Sequence, residues 1–123
     1  MIKSIKFVSI PVLDQDRALK FYTEKLGFKL AGDHPFDKKQ RWIELEIPGA
    51  ETMVVLFTPE GHENRVGAMT NMAWTTDDIQ ETYDLYKKRG VEFISPPQQM
   101  PWGKMALFKD SEGNSHCLSE DMR

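Results

Sequence analysis

A few side chains in this 123-residue sequence are of types that do chemistry. Glu44 sits in the alternating run Arg41 to Ile47, where Ile43, Leu45 and Ile47 take one face and Trp42, Glu44 and Glu46 the other. A carboxylate enclosed on an apolar face suits general acid or base work. The alternative is exposure at a rim, or an ion pair with Arg41. His116 offers an imidazole, either as a base or as a satisfied structural histidine. Cys117 has no cluster of positive charge beside it, so a reactive thiolate is not indicated and a small buried residue is the simpler reading. Trp42 and Trp102 are wide enough to stack on a flat ligand, or else close core against their neighbours. Trp102, between Pro101 and Gly103, lies on a loop that could act as a lid. His34 and His62 fall in expected loops, and Asp37-Lys38-Lys39 reads as a solvated turn. No nucleophile–base set, phosphate loop or glycine-rich nucleotide motif is present.

The elements that must carry these residues follow from periodicity. Ile5 to Val12 is apolar and β-branched, which predicts a first strand. Asp14 is placed to cap a helix over Gln15 to Lys25, with Leu19, Tyr22 and Leu26 on one face and Ala18 and Phe21 beside them. Gly27 ends it. Phe28 to Leu30 is extended, His34 to Asp37 is a turn, and strands follow over Arg41–Ile47 and Thr52–Thr58. Pro59 to Gly67 is polar and reads as a linker. The order then repeats. Met69–Thr75 is a strand, and Asp77 or Asp78 caps a helix lined by Ile79, Tyr83 and Tyr86. Gly90 stops that helix, Val91–Ile94 is extended, and Ser95-Pro96-Pro97 breaks the strand. Lys104–Lys109 and Asn114–Ser119 form a closing pair around a turn at Asp110 to Gly113.

Asp14 and Asp78 stand 64 residues apart, and Gly27 and Gly90 stand 63 apart. A period near half the chain predicts a duplicated strand–helix–strand–strand–strand unit. The modules are expected at residues 1–60 and 68–123, with 61–67 as linker. Neither half is long enough to bury much core alone.

Bulk properties exclude several function classes. Hydrophobic residues at 40% and charged residues at 28% suit a soluble globular chain. A net charge of -3 with no basic cluster argues against nucleic acid. The longest apolar run, Met53 to Phe57, is too short to span a membrane, and no stretch after Lys3 and Lys6 suits a signal peptide. A single cysteine excludes an intrachain disulfide and makes the cytoplasm the expected location.

The segment Phe7 to Phe28, with its strand, Asp14, helical Phe21-Tyr22 and closing Leu26-Gly27-Phe28, resembles the opening of vicinal oxygen chelate proteins. Phe108-Lys-Asp110-Ser-Glu-Gly113-Asn114 is similar to their Asp-Pro-Asp-Gly-Asn turn, with Ser111 and Glu112 in place of proline and aspartate. These relatives include glyoxalases, bleomycin-resistance proteins and ring-cleaving dioxygenases. The resemblance implies an α+β fold, in which two tandem βαβββ modules form a curved mixed sheet around a cup, with helices on the convex side. It would place Phe7, Ser9, Trp42, Glu44, Val55, Phe57, Asn71, Trp102 and Cys117 at the cup.

Metal-dependent relatives carry a His, Glu or Gln ligand on the first and last strand of each half. Counting from the matched motifs puts those four positions at Phe7, Val55, Asn71 and Cys117. Phe and Val cannot ligate, and Asn71 with Cys117 would make a weak pair. A one-residue slip to His116 would need a bulge. The resemblance implies a homodimer, and these substituted positions favour a protein that binds a small, partly aromatic molecule in an apolar cup with no cofactor, leaving turnover open. A divalent metal serving a lyase, isomerase or dioxygenase is the lesser alternative. A metal-free enzyme using Glu44 or His116 is a third.

Overall fold

The computed structural model describes residues 1–121; the last two residues of the expected second module lie outside them. The chain divides into two compact units, Met1–Val66 and the segment from Gly67 on. Each is a four-stranded mixed sheet with a helical segment, so the α+β class and its duplicated βαβββ unit are both present.

In the first unit β1 (Phe7–Pro11) leads to α1 (Gln15–Lys20), a π-helical turn (Phe21–Lys25), then β2 (Lys29–Pro35), β3 (Arg41–Glu46) and β4 (Met53–Phe57). The sheet order is β1-β4-β3-β2, with β1 and β4 parallel and the remaining pairs antiparallel. Asp14 caps α1 by accepting from the Arg17 N–H at 3.0 Å. Alternation sorts the strands as expected: Ile10, Ile43, Leu45, Val54 and Leu56 are fully buried with Ala18 and Tyr22 of the helical segment. Each such side chain withdrawn from water contributes roughly 1.5–3 kcal/mol.

The helix expected over Gln15 to Lys25 changes character halfway. Leu26 N–H bonds to the Phe21 carbonyl five residues back, at 3.3 Å, and the Thr23 hydroxyl donates to the Leu19 carbonyl. A π turn of this kind appears where packing outweighs regular spacing. Here it leaves Phe21, Tyr22 and Leu26 all buried.

In the second unit β5 (Met69–Thr75), α2 (Ile79–Lys88), β6 (Glu92–Met100), β7 (Gly103–Lys109) and β8 (Ser115–Asp121) repeat the plan as β5-β8-β7-β6. Asp78, not Asp77, is the cap, accepting from the Glu81 N–H at 3.0 Å. A 3-10 turn (Glu63–Arg65) lies between β4 and β5.

Two expected breaks are strand. His34 and Pro35 belong to β2, and the turn comes later, where the Asp37 carboxylate accepts from the N–H groups of Lys39 and Gln40. Ser95-Pro96-Pro97 lies inside β6, where register shifts flank Ser95 and skip the prolines. β6 is an edge strand, so the missing proline donors interrupt no ladder on its outer side.

Candidate functional site

The first unit builds an aromatic face from residues that alternation turns away from α1. Phe7, Ser9, Trp42, Glu44 and Phe57 are partly exposed there, while Val55 between them is fully buried. Val55 pairs with Ser9 on one side and Glu44 on the other, so these three form one row across the sheet. The Trp42 ring meets Phe7 edge-on at 5.4 Å and Phe57 at 5.6 Å. Phe36 completes the cluster, stacked on Trp42 at 6.0 Å and edge-on to Phe57 at 5.0 Å. Phe36 is 55% exposed, so the cluster opens outward rather than closing as core.

Glu44 accepts one hydrogen bond, from the Trp42 indole N–H at 3.3 Å. The alternative pair with Arg41 does not form. Arg41 is three residues away on the strand and points to the other face. Its guanidinium donates to Asp33 at 2.9 Å and Asp16 at 2.8 Å, and these bonds hold its pKa above the ordinary value, Asp33 most strongly.

Two buried glutamines fix the strands that present Trp42. Gln15, the first residue of α1, donates to the carbonyls of Arg41 and Leu56 at 2.7 and 2.9 Å and accepts from the Arg41 N–H. Gln40 donates to the Thr58 carbonyl at 3.0 Å and accepts from its N–H at 2.9 Å, extending the β3–β4 pairing by a side chain. Neither glutamine was legible as special, because amides at strand and helix ends carry no spacing signature. Phe36 had a weak signal: it is the lone aromatic in a polar stretch.

In the second unit Cys117 occupies the place on β8 that Val55 holds on β4, paired with Ala73 and Leu107. Burial pushes its thiol pKa up. Asn71, the position reached by counting, lies where the β5–β8 register shifts. The ladder pairs Met69 with Ser115 and next Ala73 with Cys117, so Asn71 lies in an irregular stretch with φ 61. Trp102 is 59% exposed in the β6–β7 turn.

His116 points away from Cys117 into the second core and is fully buried. Its Nδ1 lies 3.1 Å from the Thr70 hydroxyl and its Nε2 3.3 Å from the Asp110 carboxylate. Asp110 also accepts from Asn114, and the ring contacts Trp74 and Phe108. Both ring nitrogens thus have partners in the buried core of the second unit.

The donor chemistry at the four ligand positions does not fit a divalent cation. Phe7 and Val55 offer only carbon, which leaves two ligands at most, and Asn71 lies in an irregular stretch of its strand. Among the described residues no group of three or more His, Cys, Asp or Glu stands together as a metal site. A separate open cavity of about 390 Å³ in the first unit, lined by residues including Leu13, Gln40, Thr58 and Glu63, contains none of the expected site residues. No helix among the described residues is long and apolar enough to cross a membrane.

This duplicated fold, with an aromatic face on the sheet of its first unit, defines a class. Residues 4–118 match the family model of the Glyoxalase/Bleomycin resistance protein/Dioxygenase superfamily, and the chain belongs to it. The chain is similar to YetH of Bacillus subtilis, 39% identical over 120 residues that cover 98% of this chain and all of YetH. A superfamily member from Sphaerobacter thermophilus has a TM-score of 0.89 at 36% identity, covering 98% of both chains. TnmS3, an antibiotic binding protein from Streptomyces sp. CB03234, has a TM-score of 0.86 at 32% identity, again covering 98% of both.

Proposed function

We propose that this protein captures a small, flat, partly aromatic organic molecule on the Trp42 face, without metal and without turnover. The observation that carries the reading is the outward-opening cluster of Phe7, Phe36, Trp42 and Phe57 beside two family ligand positions held by carbon side chains. Ring stacking contributes about 0.5–1.5 kcal/mol per pair beyond area burial, and a binding face is typically apolar with a few polar groups. Likeness to an antibiotic binding protein supports the same function class. In the cytoplasm, where a lone thiol such as Cys117 stays reduced, such a protein would sequester its ligand rather than transform it.

Sequestration predicts stoichiometric binding. Acridine and 1-aminoanthracene, added in turn, should perturb tryptophan emission saturably, and Trp42→Ala should abolish the response. A response that survives Trp42→Ala but disappears in Trp102→Ala would move the site to the second unit. We further propose a homodimer, as the superfamily resemblance implies; sedimentation as a monomer at micromolar concentration would contradict it.

A further inference from the structure

We propose that the ligand of the Trp42 face is a cation, with its positive charge carried on or beside the planar ring system. This inference rests on the Trp42 face being the binding site and adds the charge class of what binds there.

Glu44 is the central polar group of that face. It is half-buried, and its single hydrogen bond comes from a neutral indole N–H at 3.3 Å. The neighbours in its row are Val55 and Ser9 on one side and Gly32 on the other, none of which carries charge. Arg41 is engaged with Asp16 and Asp33 on the opposite face. The bases on the adjoining strand, Lys29 and His34, stand opposite Glu46 and Trp42 instead, and neither forms an ion pair with Glu44. Gly32 adds no side chain of its own beside the carboxylate; the His34 imidazole reaches over it, with Nε2 3.1 Å from where a Gly32 Cβ would stand.

A flat neutral ligand lying on Trp42 would strip water from this carboxylate and give nothing back. Burial of an unpaired charge is costly, whereas a cation over the same spot replaces the lost hydration. The same cation gains from the faces of Trp42 and the phenylalanine rings. The net charge of -3 draws such a ligand toward the protein.

The test compares acridine with 10-methylacridinium, two ring systems of nearly equal area, at mildly alkaline pH where acridine is uncharged. The wild-type protein should bind 10-methylacridinium about tenfold more tightly than acridine, the ratio that corresponds to one partly desolvated charge pair. Glu44→Gln should reduce that preference to about twofold, weakening 10-methylacridinium binding and strengthening that of acridine, which no longer has to desolvate a carboxylate. Glu24→Gln, which alters net charge equally at an exposed position of the helical segment that covers the other face of the sheet, should keep the full preference. Equal affinities for the two compounds, or a preference that Glu44→Gln leaves intact, would overturn the charge assignment and leave the binding face standing. Binding of neither compound, with tryptophan emission unmoved, would mean that protein covers the face and would overturn both readings.

Discussion

The carboxamide of Gln15 accepts a hydrogen bond from the Arg41 N–H at 2.9 Å and donates one to the Arg41 carbonyl at 2.7 Å. The first residue of the helix thus grips the first residue of β3, and the next residue along is Trp42. A third bond, to the Leu56 carbonyl, ties β4 into the same clamp. Gln15→Ala would leave these backbone groups without a protein partner in a largely buried place. The expected cost is about 2–4 kcal/mol of unfolding free energy, read from a urea transition. The acridine affinity of the folded variant should also fall, since β3 loses its anchor. A variant as stable as wild type would mean that the clamp is replaceable by water.

His116 makes a different kind of prediction. It is fully buried between Thr70 and Asp110 within the second unit. His116→Ala should cost about 2–4 kcal/mol through the broken network. Its acridine affinity, measured at a temperature where the variant stays folded, should match wild type within about twofold. Lost binding at unchanged stability would make His116 part of the site.

Asn71 holds φ at 61, a left-handed conformation that asparagine tolerates better than most residues and glycine better still. Asn71→Gly should therefore be close to neutral, while Asn71→Ala should lose about 1 kcal/mol. Paired thermal melts of the two variants check this directly. Equal losses would point to the Asn71 side chain rather than to its backbone.

For Cys117, burial favours the neutral thiol and raises its pKa above the ordinary value of 9.0. Alkylation proceeds through the thiolate, so the rate with iodoacetamide at neutral pH should be slower than that of a free cysteine. Its pH midpoint should lie above the ordinary thiol value. The linkage has the same sign: the folded state favours the protonated form, so this contribution to stability is complete below the unfolded pKa and is lost as pH rises through the folded one. A midpoint below the ordinary value would show a stabilised thiolate and would contradict the apolar surroundings of this position.

Much of the fold was legible because its signals are periodic. The alternation of Ile43 and Leu45 against Trp42 and Glu44 assigns the faces of β3 correctly. Asp14 and Asp78 mark both helix starts by an offset that also reveals the duplication. The failures have local causes. Pro96 and Pro97 read as a break because a proline signal does not tell an edge strand from a loop, and only the sheet order places β6 at an edge. Phe36 was lost inside an expected turn because β2 runs on through Pro35. Arg41 is near Glu44 in sequence, but three residues along a strand reverse the face. Gln15 and Gln40 act through backbone groups brought together from distant positions, which no pattern in the sequence encodes.

The central claim is that an aromatic face, rather than a bound metal ion, does the capturing. Calorimetric titration of acridine into protein dialysed against a chelator tests it most directly, beside the same titration into Trp42→Ala. The chelator-treated wild type should bind at one saturable site with unchanged affinity, and Trp42→Ala should show none. Binding that vanishes on chelation and returns with a divalent cation would contradict the account.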